Sequence, residues 1–151
     1  MERIVLNSGL EGFILLDEIQ DAGADSITAG KLFDLAPAYL CIEAMAQLGA
    51  YHVRYIGNFE RHAFLLGVKR CSLPAEDLLS GYFRLHGKLE SRSSSAFSYL
   101  ISATGENGTE MEGEFLFAAV DYDGAALRRE ILRPHYEKVF ACLRSGSKKN
   151  C

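Results

Sequence analysis

From Leu79 to Glu90 the chain alternates without interruption. Leu79, Gly81, Phe83, Leu85, Gly87 and Leu89 fall on one side, and Ser80, Tyr82, Arg84, His86, Lys88 and Glu90 on the other. A period of two over this length predicts an antiparallel strand with one face buried and one wetted. Ser95–Thr104 repeats the pattern with Phe97, Tyr99, Ile101 and Ala103, and Glu110–Val120 with Met111, Gly113, Phe115, Phe117 and Ala119. The Asn107-Gly108 pair between them favours a tight hairpin. Phe64–Cys71 reads as a further strand that stops before Pro74. Gly12–Gln20 and Ser26–Phe33 read as a pair around Asp21-Ala22-Gly23-Ala24-Asp25.

One segment breaks this period. From Ala36 to Arg54 the residues are apolar almost all the way round, with Pro37 at the start, where a helix accepts one. Such a helix is expected to be buried. At about 100° per residue, Glu43, Gln47 and Arg54 share a stripe beside Ala36, Ala46 and Ala50. Beyond Asp121-Tyr122-Asp123-Gly124 a helical tail is expected over 125–144. Pro134 divides it, with Tyr136, Val139, Phe140 and Leu143 on one face beyond, and 145–151 are expected to be frayed or disordered. The order strand–strand–helix–four strands–tail predicts an α+β fold, a curved antiparallel sheet around one central helix. With 151 residues and no linker, the expectation is a single domain over 1–151 with its core at about 12–121.

Composition narrows the function classes. The 16 basic and 20 acidic residues leave a formal charge of −4, which argues against nucleic acid as a partner. The four cysteines, Cys41, Cys71, Cys142 and Cys151, lack ligand spacing, so neither zinc nor a disulfide framework is expected. No cofactor or other metal is expected, because no phosphate loop or metal cluster is present. The chain start is too quickly polar for a signal peptide, and no apolar run reaches the ~18 residues of a membrane span. A cytoplasmic protein is the expectation.

Ile42-Glu43-Ala44-Met45-Ala46-Gln47-Leu48-Gly49 resembles the central helix of the hotdog-fold 3-hydroxyacyl-acyl-carrier-protein dehydratases. Gly12–Asp17 looks like that family's first strand, Phe64–Lys69 like the strand after the helix, and Pro74-Ala75-Glu76-Asp77 like its Pro-Gly-Asp turn. The likeness spans roughly Gly12 to Asp121. It implies a homodimer, or a higher oligomer of dimers, that takes an acyl thioester of acyl carrier protein or coenzyme A at the subunit interface. It also implies that Glu43 works with a histidine of the other subunit. The family's His-Phe-Pro…Pro-Gly loop is not in this sequence, where Phe33-Asp34-Leu35-Ala36-Pro37-Ala38 joins strand to helix directly. Elimination needs a base at C2 as well as an acid for the leaving hydroxyl, so weak or altered dehydratase activity is expected.

Glu43 is the candidate acid or base, since an acid in an apolar site acquires a useful pKa. Its alternative is a structural carboxylate tied to Arg54. Gln47 would orient Glu43 or bind a thioester carbonyl. Among the histidines, His62, placed in a loop, is the candidate replacement base. His52 is out of phase with Glu43, His86 sits on a wetted strand face, and His135 begins the tail. Lys69 and Arg70 are candidates for attracting phosphopantetheine or a carrier protein. Three functions compete: a dehydratase-like lyase, a thioesterase using Glu43, and a non-catalytic partner subunit.

Overall fold

The computed structural model describes residues 14–122 and 128–146 of the chain. Strands β1 (Glu18–Ala22) and β2 (Ser26–Pro37) precede the helix α1 (Ala38–Ile56). Strands β3 (His62–Cys71), β4 (Leu78–Arg92), β5 (Ala96–Gly105) and β6 (Glu110–Val120) follow, and then helix α2 (Arg129–Arg144). The strands form one antiparallel sheet in the order β1-β2-β4-β5-β6-β3. This is the expected α+β arrangement.

The period-two segments bury the faces their patterns predict. Phe83, Leu85, Phe97, Tyr99, Ile101, Phe115 and Phe117 point inward and are almost wholly buried. They receive Cys41, Ala44, Met45 and Leu48 of α1. Gly49 sets how closely helix and sheet approach. A Cβ there would stand 2.3 Å from the ring of Phe117 and 3.1 Å from Ile101. Phe117 is fully buried and has nowhere to turn.

Several boundaries differ from expectation. The first strand begins at Glu18, not Gly12, and residues 12 and 13 lie outside the described range. Side chains take its early ladder bonds: the Asp17 carboxylate accepts from the Leu32 N–H, and Gln47 Oε1 accepts from the Leu15 N–H. Strand β2 runs on to Pro37, four residues past the expected end, with a bulge between Phe33 and Ala36. Pro134 does not divide the tail. It lies inside α2, where its missing N–H costs one bond to the Glu130 carbonyl. Buried Val139, Phe140 and Leu143 hold the helix in spite of that loss. Residues 125–127 and 147–151 of the expected tail and frayed end lie outside the described residues.

Replacing Gly49 by Ala gains about 1 kcal/mol in helix propensity. Forcing a methyl group against Phe117 costs about 1–3 kcal/mol by overpacking. We therefore expect Gly49→Ala to lower the thermal midpoint by a few degrees. An unchanged or raised midpoint in calorimetry would show that the helix does not rest on Phe117.

Candidate active site

α1 is covered unequally along its length. From Leu48 to Arg54 every residue is buried, the sheet covering one side and α2 lying against Tyr51 and Tyr55. Phe140 stacks on Tyr55 with ring centroids 5.2 Å apart, and also meets Tyr51 and Phe59. The first half has no such cover among the described residues. Glu43, the only acidic residue of α1, is exposed there. The expectation of a carboxylate buried on an all-apolar helix is therefore corrected for the single chain. The expected stripe splits: Glu43 is open, Gln47 half-buried and Arg54 buried.

Exposed apolar side chains lie at the start of α1, in the preceding bulge and on the strand paired with it. Tyr39, one turn before Glu43, is 64% exposed; Leu35 is 65% exposed and Leu78 50%. Leu35 takes a positive φ of 50° in the β2 bulge, a conformation uncommon for a branched residue. Its N–H bonds to the Ser80 hydroxyl at 3.1 Å. This apolar rim was not singled out in the sequence, although Tyr39 and Glu43 are four apart and so share a helix face. Pro37, the residue that precedes α1, supplies no side-chain cap, leaving the first-turn amides without a side-chain acceptor.

Gln47 has a structural duty. Its Oε1 accepts from the Leu15 N–H at 2.9 Å and ties the segment before β1 to α1. Arg54 does not pair with Glu43. One of its terminal nitrogens donates to the Ala63 carbonyl at 2.9 Å, and its guanidinium lies 3.8 Å from the Tyr136 ring centre and 4.9 Å from that of Tyr51. Aromatic faces do for this buried cation what a carboxylate would.

None of the four histidines reaches the Glu43 face. His52 is fully buried, with Nε2 2.8 Å from the Gly23 carbonyl and Nδ1 2.5 Å from the Tyr99 hydroxyl. A carbonyl only accepts, so Nε2 carries the proton and Nδ1 accepts from Tyr99. Burial lowers the pKa of His52. His62 opens β3 instead of lying in the expected loop. Its ring stacks on Phe64 and tilts against Tyr122 and Tyr136. Eleven residues separate Glu43 from Arg54, which adjoins His62, or about 16 Å along the helix axis. His86 stands on the outer sheet face 3.0 Å from the Thr28 hydroxyl, and His135 packs against Tyr136 in α2.

Lys69 and Arg70 lie near the end of β3, both on Glu114. The Arg70 Nε donates to Glu114 at 2.7 Å, and Lys69 stands 3.8 Å from the same carboxylate. Cys41 is buried, and burial pushes its thiol up to about 12. Among the described residues no group of His, Cys, Asp or Glu is placed to hold a metal, and no helix is long and apolar enough to cross a membrane.

Solved structures share this architecture. A chain of the dehydratase heterocomplex ApeI:P from Xenorhabdus doucetiae superposes with a TM-score of 0.62 at 12% identity, covering 72% of this chain and 84% of that one. A thioesterase of Haemophilus influenzae gives 0.61 at 11% identity, over 72% and 80%. A hypothetical thioesterase of Streptococcus pneumoniae, solved with coenzyme A, gives 0.58 at 10% identity, over 69% and 85%. The fold is the hotdog fold. No protein-family model and no curated protein matches the chain. In hotdog terms, the described chain leaves the first half of its central helix open and packs the second under its own tail.

Burial, and secondarily the Arg54 guanidinium, holds His62 down to about 4 from an ordinary 6.5. The unfolded chain therefore binds the extra proton between these values, and stability is lost as pH falls from about 6.5 towards 4. His62→Phe keeps the ring and removes the titration. Its thermal midpoint should fall less between pH 6.5 and 4.5 than that of the wild type. Equal slopes would mean that His62 is solvated.

Proposed function

We propose that the chain is an acyl-thioester-binding hotdog subunit in which Glu43 is the reacting carboxylate, and that alone it hydrolyses thioesters in preference to dehydrating them. One observation carries the reading: the single acidic residue of α1 stands on the helix half that the described residues leave uncovered, on the face it shares with exposed Tyr39, and no histidine contact is found there. An apolar rim around one charge suits a long acyl chain that ends in a polar thioester.

The proposal includes completion of the site by a second copy. β3 is an edge strand carrying Phe64, Leu65, Leu66 and Val68, each between 37% and 52% exposed. A long apolar edge of unpaired backbone groups invites pairing with another chain. Pairing two β3 edges makes the homodimer that the sequence resemblance implies. In the proposed hydrolysis Glu43 takes a proton from water as the water oxygen bonds to the thioester carbonyl carbon. The carbon–sulfur bond then breaks, and the departing sulfur takes the proton back. The uncapped amides at the start of α1 are the proposed donors to the carbonyl oxygen. Coenzyme A and acyl carrier protein are both proposed carriers, and Lys69 and Arg70 would serve either only by giving up Glu114.

A second reading rests on the heterocomplex among the similar structures. On that reading, the chain is a partner subunit that leaves the base at C2 to a second, different subunit.

Glu43→Gln keeps the shape and removes the charge. We expect it to leave the melting temperature in place and to reduce kcat/KM on acyl-coenzyme A thioesters by about 10²–10⁴-fold. Unchanged turnover would refute the assignment of Glu43. The purified protein should also hydrate a crotonyl thioester far more slowly than a loop-bearing dehydratase, read as loss of enoyl absorbance. Turnover at the level of that reference would refute the preference for hydrolysis. Rescue of hydration on adding a histidine-bearing subunit would favour the partner reading.

A further inference from the structure

Among the described residues, four buried side-chain polar atoms have no hydrogen-bond partner: Arg54 Nε, His62 Nδ1, the Tyr122 hydroxyl and Arg133 Nε. They are scattered in sequence and gathered in space. Arg54 belongs to the last turn of α1, His62 opens β3, Tyr122 follows the end of β6, and Arg133 stands in α2 one turn before Tyr136. The His62 ring lies 5.9 Å from that of Tyr122 and 5.7 Å from that of Tyr136, whose face the Arg54 guanidinium covers at 3.8 Å. Burial raises the pKa of the Tyr122 hydroxyl, while the Arg54 and Arg133 guanidiniums, both near enough to act on it, pull the other way. Each unpartnered buried atom costs stability unless something meets it, and four in one neighbourhood ask for a common cause.

Their chemistry is alike. Arginine Nε only donates, a phenol hydroxyl donates, and imidazole Nδ1 donates when it carries the proton. Two of the four groups bring a fixed positive charge. Arg54, 8% exposed, pairs with no carboxylate among the described residues. Its terminal nitrogen holds the Ala63 carbonyl, and the tyrosine faces offset its charge but leave Nε without an acceptor. Around Arg133 the carboxylates stand at the rim. Glu60 takes a terminal nitrogen at 3.2 Å, and Glu137, 47% exposed, lies 3.6 Å from Nε, outside hydrogen-bond reach. A water molecule has two lone pairs and no charge, too little for four donors and a buried cation. An oxyanion has both the acceptors and the charge.

We propose that Arg54, His62, Tyr122 and Arg133 bind a small oxyanion of the sulfate or phosphate class, which ties α2 to α1, to the start of β3 and to the end of β6. The Nε of each arginine, the hydroxyl and Nδ1 donate to its oxygens. The ion supplies the negative charge that Arg54 lacks beneath α2. The charged and titratable groups around His62 are Arg54 of α1, Tyr122 after β6, and Arg133, Tyr136 and Glu137 of α2. Only Glu137 is acidic. Without the ion, a proton on His62 adds charge to an already positive neighbourhood; with it, the proton sits beside a negative charge. Ion binding therefore strengthens as His62 takes up its proton, and by linkage the ion raises the pH at which His62 titrates. The site lies about 16 Å along α1 from Glu43 and owes nothing to the functional reading.

Sulfate is the probe, titrated up to about 10 mM into the whole chain, with chloride holding ionic strength at about 0.15 M. The readout is the imidazole NMR signal of His62, assigned by its loss in His62→Phe. It should shift along one saturating curve. Its titration, at about 4 in chloride, should rise by about one pH unit or more in sulfate. Tyr122→Phe keeps the ring and removes one donor, so it should need about ten-fold more sulfate for half-saturation. A His62 signal that ignores sulfate would overturn the proposal, and so would equal half-saturation in Tyr122→Phe. If that variant does not fold, the wild type decides: a His62 that titrates at the same pH in sulfate and in chloride also overturns it.

Discussion

The contact between Gly49 and the Phe117 ring fixes how α1 lies in the sheet, and the remaining geometry follows from it. With helix and sheet this close, one side of α1 is filled by Phe83, Phe97, Phe115 and Phe117. The other side needs its own cover. α2 supplies one from Tyr51 onward through Phe140, Val139 and Leu143, and stops there. The first half of α1, with Tyr39 and Glu43, is what the described residues leave uncovered. The location of the candidate site is thus a consequence of how far α2 reaches.

The polar groups beneath α2 sharpen that contrast. His52 is held between Gly23 and Tyr99, and Arg54 between the Ala63 carbonyl and two tyrosine faces. Gln47 is committed to Leu15. Buried His52 and half-buried Gln47 are each met by specific partners, and buried Arg54 by one carbonyl and two aromatic faces although its Nε has no hydrogen-bond partner. Glu43 has no such partner among the described residues, and it is exposed where they are not. That openness is what the proposed role of Glu43 as the reacting carboxylate rests on.

Much of the fold was legible in the sequence because burial on one sheet face writes a period of two, as in Leu79–Glu90. The central helix was legible because nothing polar interrupts its sheet-facing side. Its half-open state was not, because the same apolar residues serve where α2 covers them and where a partner would. Pro134 misled for a related reason: tertiary packing of Phe140 and Leu143 outweighs one lost backbone bond. The first strand misled because the ladder partners of Leu15 and Leu32 are side chains, which periodicity does not report. For the site, the resemblance of the Ile42–Gly49 segment singled out Glu43. The environment of His62 depends on Tyr122 and Tyr136, more than fifty residues away in sequence, and no local pattern foretells it.

The central claim is that ligand enters at the open half of α1. Hydrogen–deuterium exchange with and without a non-hydrolysable acyl-coenzyme A thioether tests it most directly. The account predicts added protection in the β2 bulge, in the first half of α1 around Glu43 and along β3, with none at Tyr51–Phe59 or in α2. Protection centred on α2 and the end of α1, or none at all at saturating ligand, would contradict it.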